Sequence, residues 1–203
     1  MHPLNTVKGA ITTGVVLAIV ISIWLTASAG IMGVSIHWGH LDRWLHIVAG
    51  VTWIGLLYYF NVVQTPGLAA AAADSGGPGG AGISKYIAPR ALLWFRWSAV
   101  VTWVTGAIYL MGGFGNASVI VLAFALQPGF RTLGVGAWLG TIMLFNVWVF
   151  IWPNQKKILG IVPATDEEKA AARKIAGRAS RINFILSLPM LMCMGGQSHG
   201  LPF

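Results

Sequence analysis

Cysteine is nearly absent from this chain, which has 203 residues and a single cysteine, Cys193. One thiol excludes a disulfide within the chain, a cysteine-rich zinc site and an iron–sulfur cluster. The segment Cys-x-x-Cys-His, which attaches haem c covalently, does not occur either. A metal or haem would therefore be held non-covalently, and the 5 histidines are the residues to examine.

Charged residues are also scarce, at 9% of the chain, whereas 56% of the residues are hydrophobic. Soluble domains carry about 25% charged residues, so this composition predicts an integral membrane protein. Four apolar runs exceed the roughly 17 to 20 residues that cross a bilayer: residues 10–34, 41–63, 91–112 and 133–152. A fifth run, 180–196, contains Pro189 and can span only by extending the helix before it. We predict an all-α membrane fold of about five transmembrane helices in a single domain, 1–203.

Acidic residues are the scarcest charged class, with 5 against 13 lysines and arginines. Through five alternating crossings, only Arg43 and Arg131 fall on the side opposite the N-terminus. The other basic residues share the N-terminal side: Lys8, Lys85, Arg90, Arg96, Lys156, Lys157, Lys169, Arg173, Lys174, Arg178 and Arg181. The positive-inside rule then predicts a cytoplasmic N-terminus and an outer, periplasmic C-terminus. We expect a multi-pass protein of the bacterial inner (cell) membrane, whose partner is the lipid bilayer and not nucleic acid.

Three connecting segments carry local signals. Residues 65–84 are rich in proline, glycine and alanine, and we predict a mobile cytoplasmic loop there. The segment Thr165-Asp166-Glu167-Glu168 matches a capping box and predicts the start of a helix. The apolar stretch 119–126 is too short to cross a membrane and is interpreted as re-entrant or interfacial.

His46 is the only histidine inside an apolar helical run. Ionisable groups at membrane depth are candidates for function. At helical spacing, His46, Gly50 and Trp53 share one face, and the glycine leaves room for a flat macrocycle. This pattern favours a helix that binds haem b. The alternative is a histidine bonded to the backbone of a neighbouring helix or to water.

Further histidines gather at the predicted outer face. His199 follows Gly195 and Gly196, which permit a turn back toward His46, so we expect His46 and His199 to ligate one haem iron. The pair His37 and His40 offers an alternative copper site if a third ligand exists, although exposed interfacial histidines have the same pattern.

Several longer segments resemble the membrane domain of the PuuD-type urate hydroxylases, the urate oxidase N-terminal family. They are Arg43-Trp44-Leu45-His46, Trp53-Ile54-Gly55, Lys85-Tyr86-Ile87-Ala88-Pro89, Leu93-Trp94-Phe95-Arg96-Trp97, Pro153-Asn154-Gln155-Lys156-Lys157, Ser180-Arg181-Ile182-Asn183 and Ser198-His199. The resemblance runs from about residue 40 to the C-terminus. In that family a cytochrome c domain follows the membrane domain, and urate is hydroxylated with electrons leaving through haem.

The resemblance implies a haem-b-binding oxidoreductase or electron-transfer protein with His46 and His199 in its site. No cytochrome c domain is present up to Phe203, so we expect a separate external cytochrome c as partner. The alternative is a non-catalytic structural subunit of a larger respiratory or photosynthetic membrane complex. Small size and 26 glycines suit the close helix packing of such a subunit.

Overall fold

The described part of the chain is helical. A computed structural model describes residues 5–29, 36–113 and 119–202, and every regular element in these ranges is a helix. The helices are α1 (Val7–Ser28), α2 (Trp38–Ala73), α3 (Ile83–Gly112), α4 (Val119–Phe124), α5 (Arg131–Ile158) and α6 (Asp166–His199). The predicted all-α class is confirmed.

Two compact units divide the chain, Met1–His37 and Trp38–Phe203. The first contains α1, whose start is capped by the Thr6 hydroxyl, which accepts a hydrogen bond from the Gly9 amide at 3.0 Å. The second contains α2 to α6 and all the features described below.

Four helices, α1, α2, α3 and α5, are long and apolar enough to cross a membrane. The protein therefore has the composition and helix lengths of a membrane protein. The fifth predicted span, 180–196, forms the second half of α6, a continuous helix through Pro189 that begins at Asp166. It does extend the preceding helix, as the prediction required. However, α6 is not among the four, since its apolar part is short and ends in polar residues. A fifth crossing stays a prediction.

Three of these helices contain a wide π-helical turn that ends two residues before a proline. The turns are Tyr59–Gln64 before Pro66, Ile83–Ile87 before Pro89, and Asn146–Ile151 before Pro153. A proline has no N–H, and its ring clashes with the carbonyl four residues earlier. An extra residue in the preceding turn separates the two groups. The helices therefore continue past prolines that would otherwise end them.

This continuity corrects the predicted loop. The mobile loop expected over residues 65–84 is wrong for Thr65–Ala73, which extends α2. Pro66 lies in the first turn of that segment, where it is tolerated, and five alanines, the best helix formers, follow. Because α3 already begins at Ile83, the connection is shorter than expected, with Gly79 at a φ of +66°.

The start of α6 is as predicted. The Thr165 hydroxyl accepts from the Glu168 amide at 3.2 Å, and the Glu168 carboxylate accepts from the Thr165 amide at 2.9 Å. The capping box is therefore confirmed, and it begins the helix that ends at His199.

Buried polar bonds join the helices within the second unit. The Asn146 side-chain amide donates to Asn183 at 2.8 Å, and Asn183 donates to the Met143 carbonyl at 2.9 Å, which joins α5 to α6. Tyr58 and Ser187 share a hydrogen bond of 3.2 Å that joins α2 to α6. The apolar core around these bonds consists largely of Trp53, Ile54, Leu57, Leu92, Phe95, Ala99, Met143, Val147 and Met190. Water does not compete for these buried bonds, so they hold α2, α5 and α6 in position around the cavity described next.

Candidate functional site

His46 is held by a single hydrogen bond to the neighbouring helix. Its Nδ1 lies 2.7 Å from the Thr102 carbonyl oxygen of α3. A carbonyl oxygen can only accept, so Nδ1 carries the proton and donates it. In the neutral ring Nε2 then keeps its lone pair. Metal-bound histidines have this arrangement, with the other ring N–H donated to a backbone carbonyl. The alternative, a histidine bonded to the backbone of a neighbouring helix, explains the hydrogen bond of Nδ1 but gives Nε2 no role.

Gly106 provides the space for the imidazole. A Cβ atom at Gly106 would lie 2.8 Å from Cε1 of His46 and 3.0 Å from Nδ1, both closer than side chains normally approach. Gly50, which was predicted to leave room for a macrocycle, does not have this role. A Cβ there would meet only the Thr102 methyl group at 3.7 Å, an ordinary contact, and Gly50 does not line the cavity. The space beside His46 comes from α3 and not from its own helix.

His46 opens onto a cavity of about 710 Å³ that is bordered by α2 to α6. Its volume lies within the roughly 300–1,000 Å³ of ordinary small-molecule pockets. His199 borders the same cavity, together with Arg43, Trp53 and Trp103. Most of the other bordering residues are apolar, among them Ile47, Leu110, Phe124, Leu133, Met190 and Met194. The structure thus places His46, His199 and Trp53 around one cavity, and their role in binding a cofactor stays a prediction.

His199 reaches this cavity in a different way from the one expected. The helix does not turn at Gly195 and Gly196 but continues to His199, its last residue. The turn comes at Gly200, whose φ of +85° favours glycine. The predicted fold-back is therefore wrong. A histidine at the helix end reaches the rim directly, because Gln197, Ser198 and His199 at the end of α6 all border the cavity.

Gln197 fixes the end of α6. Its Oε1 accepts from the Leu133 amide at 3.1 Å, and its Nε2 donates to the Gly129 carbonyl at 3.0 Å. Both partners lie where the α4–α5 connection enters α5. Sequence reasoning did not select Gln197, although a glutamine two residues before a candidate ligand is a usable signal. Its role is to position the helix turn that carries His199.

Trp53 carries an unsatisfied donor. The side chain is 2% exposed and borders the cavity, and its Nε1–H has no acceptor among the described residues. Trp103, which borders the same cavity, instead donates to the Thr141 hydroxyl at 2.9 Å. A buried donor without an acceptor destabilises a protein by about 1–3 kcal/mol. An oxygen atom of a bound molecule would remove this cost.

Two charged residues lie near His46 at the N-terminal end of α2. Arg43 borders the cavity and could neutralise an acidic group of an occupant. Asp42 lies one helical turn before His46, and its Oδ2 is buried without a partner in the described part of the chain. Arg43 therefore places a positive charge at the cavity, where its interaction with a bound group is less screened than in bulk water.

The second histidine pair is not part of this cavity. Because α2 begins at Trp38, His37 precedes the helix and His40 lies in its first turn. Within residues 5–29, 36–113 and 119–202, no three His, Cys, Asp or Glu side chains are placed to hold a metal ion. The third ligand that copper requires is thus missing from these ranges, and the copper hypothesis stays a prediction.

Comparison with known proteins relates part of the chain to one family. The model of the urate oxidase N-terminal family matches residues 116–203. The predicted resemblance is confirmed over this range, which carries α4, α5 and α6 with Gln197 and His199. His46, Trp53 and Gly106 lie before it. No curated protein and no solved structure matches the chain. Over residues 116–203 the chain is therefore similar to the urate oxidase N-terminal family, and its helices have the lengths and composition of membrane spans.

Proposed function

We propose that this chain is a haem-b-binding membrane oxidoreductase, or electron-transfer protein, of the urate hydroxylase membrane-domain type. The observation that carries the proposal is that His46, whose Nδ1 is bonded to the Thr102 carbonyl, borders a cavity that His199 also borders. The family match over residues 116–203 supports the same conclusion.

The residues around the cavity fit a haem. His46 would hold the haem iron through a ring nitrogen, and His199 is the candidate for a second ligand. Gly106 provides the space that the His46 ring occupies, and Trp53 offers a donor that lacks an acceptor among the described residues. Arg43 would neutralise a carboxylate of the bound group. When bound, haem b supplies one-electron chemistry at a potential set by its ligands and by burial.

The residues of this chain hold a proton on Nδ1 of His46 and restrict the access of water to the cavity. The Thr102 carbonyl keeps the proton on Nδ1 of His46, so that the ring neither rotates nor presents the wrong nitrogen. The apolar border lowers the local dielectric, which strengthens the interaction of Arg43 with an acidic group. Gln197 holds the last turn of α6 against the start of α5, which keeps His199 at the rim.

The proposed partner is a separate cytochrome c at the outer face of a bacterial inner membrane. The uneven distribution of basic residues supports this orientation. The proposal also requires that α6 crosses the membrane as a fifth helix. His199 would then lie at the outer boundary, close to an external electron acceptor.

The first test is a reduced-minus-oxidised absorption spectrum of the detergent-purified chain. We expect a b-type α-band at about 560 nm. This band should be lost in His46→Ala and shifted in His199→Ala. His40→Ala is the matched control, since His40 does not border the cavity, and its spectrum should equal that of the wild type. Reduction of added cytochrome c by urate would then test the activity.

A wild-type protein that folds but has no haem band would contradict this proposal. Co-purification with larger partners in that case would favour the structural-subunit alternative. Copper binding that is unchanged in a His37→Ala/His40→Ala variant would remove the copper alternative.

A further inference from the structure

A second hollow lies on the surface of α2 and α3, away from the histidine cavity. It is an open groove of about 530 Å³. The residues that border it are Val51, Thr52, Gly55, Leu56, Tyr86, Ile87, Arg90, Ala91 and Trp94. None of them borders the histidine cavity, so an occupant of the groove is independent of the proposed haem.

The groove faces outward within the membrane-spanning helices. Val51 is 69% exposed and Trp94 is 58% exposed, and both belong to helices that are apolar enough to cross a bilayer. Gly55 lies between them, and a Cβ atom there would have no atom within 4 Å. The glycine therefore makes a recess in an apolar, outward-facing surface. Such a recess has the shape and polarity to receive a hydrocarbon chain.

Arg90 introduces a positive charge into this apolar groove. One of its guanidinium nitrogens donates to the Tyr86 carbonyl at 2.6 Å, which holds the head group in place. In the described ranges the only ion pair is Lys169 with Asp166, so no carboxylate neutralises Arg90. The Lys85 ammonium lies 5.4 Å from the centre of the Tyr86 ring, so a second cation contacts a residue that borders the groove. A planar guanidinium with unused N–H donors is suited to bind a phosphate.

We propose that the groove binds one anionic phospholipid, with an acyl chain over Gly55 and the phosphate at Arg90. The apolar border alone would accept any lipid chain. The uncompensated positive charge selects an anionic head group, and the predicted cytoplasmic side of Lys85 and Arg90 places them at the leaflet that is rich in anionic lipid.

The experiment uses the full chain in phosphatidylcholine nanodiscs, to which phosphatidylglycerol with brominated acyl chains is added. Tryptophans are labelled with 5-fluorotryptophan, and the ¹⁹F resonance of Trp94 is assigned by its loss in Trp94→Phe. Native mass spectrometry counts the lipids that remain bound. Two variants test the groove: Gly55→Leu fills the recess without a clash, and Arg90→Gln removes the charge. Their matched controls are Gly177→Leu, also with open space at its Cβ, and Arg178→Gln.

In the wild type we expect one retained phosphatidylglycerol, preferred at least about fivefold over phosphatidylcholine, and a response of Trp94 to the brominated chain. Arg90→Gln should remove the preference but keep the response, Gly55→Leu should remove both, and the controls should remove neither. Equal retention of the two lipids, an unchanged preference in Arg90→Gln, or a silent Trp94 would overturn the proposal. A Trp94 response to ubiquinone-1 that prevents lipid retention, or to a second copy of the chain, would also overturn it.

Discussion

Replacing Gly106 by alanine tests the packing that holds His46. The new Cβ would lie 2.8 Å from Cε1 of His46, and the ring must retreat to about 3.4 Å, where van der Waals contact becomes ordinary. The ring cannot retreat freely, because its Nδ1 is bonded to the Thr102 carbonyl at 2.7 Å. The substitution therefore either strains this bond or breaks it.

The magnitude follows from a matched substitution. Overpacking of this kind destabilises a protein by about 1–3 kcal/mol, but alanine in place of glycine stabilises a helix by up to about 1 kcal/mol. Gly140→Ala isolates the second effect, since Gly140 borders the same cavity and its Cβ would meet nothing within 4 Å. Gly106→Ala should thus be about 1–3 kcal/mol less stable than Gly140→Ala. In a chain of this size that lowers the Tm by roughly 2–4 °C per kcal/mol.

Thermal unfolding in detergent, followed by circular dichroism, measures this difference. A double-mutant cycle then assigns it to the imidazole: in a His46→Ala background, Gly106→Ala should no longer be destabilising. Equal Tm values for Gly106→Ala and Gly140→Ala would refute the reasoning. So would a penalty that persists without the His46 ring, because the clash would then involve some other group.

Three further substitutions have definite expected results. Gln197→Ala removes two hydrogen bonds at the end of α6, and hydrogen exchange at the Leu133 amide should become about 5- to 100-fold faster; unchanged exchange would show that the bonds are not formed. Asn183→Ala should destabilise by about 1–3 kcal/mol in chemical unfolding, whereas Asn154→Ala, which affects a bond within its own helix, should stay within about 0.5 kcal/mol. In Gly134→Ala the new Cβ would overlap a backbone carbonyl of α4, which should prevent α4 from packing on α5. We expect proteolysis near residue 125 in this variant and none in Gly140→Ala.

Sequence reasoning identified the side chains of the site but not the groups that position them. Composition and helical spacing were sufficient to select His46, Trp53 and His199. His46 is positioned by the Thr102 carbonyl and by the absence of a side chain at Gly106, both on another helix. Neither feature has a local sequence signal. A glycine in the interior of a second membrane helix is the one sequence signal that could have indicated close packing against His46.

The ends of the helices were misjudged for a related reason. Residues 65–84 were expected to form a loop because they are rich in proline, glycine and alanine, and a proline commonly ends a soluble helix. In an apolar environment, ending a helix exposes backbone groups that water cannot satisfy, which favours continuing through the proline. The π-helical turns before Pro66, Pro89 and Pro153 are the local adjustment that makes this possible. The pattern depends on the surroundings, which the local sequence does not specify.

The argument for a bound molecule does not depend on the family match. That match covers residues 116–203, whereas the Nε2 of His46 and the unsatisfied Nε1–H of Trp53 belong to α2, before the matched range. A purely structural histidine would be complete with its bond to Thr102. Among the described residues the buried Nε1–H groups of Trp53 and Trp148 both lack an acceptor, and of these two Trp53 borders the cavity. An occupant with a metal centre and an oxygen atom would bind His46 and accept a hydrogen bond from Trp53, and His199 in the matched half would border the same occupant.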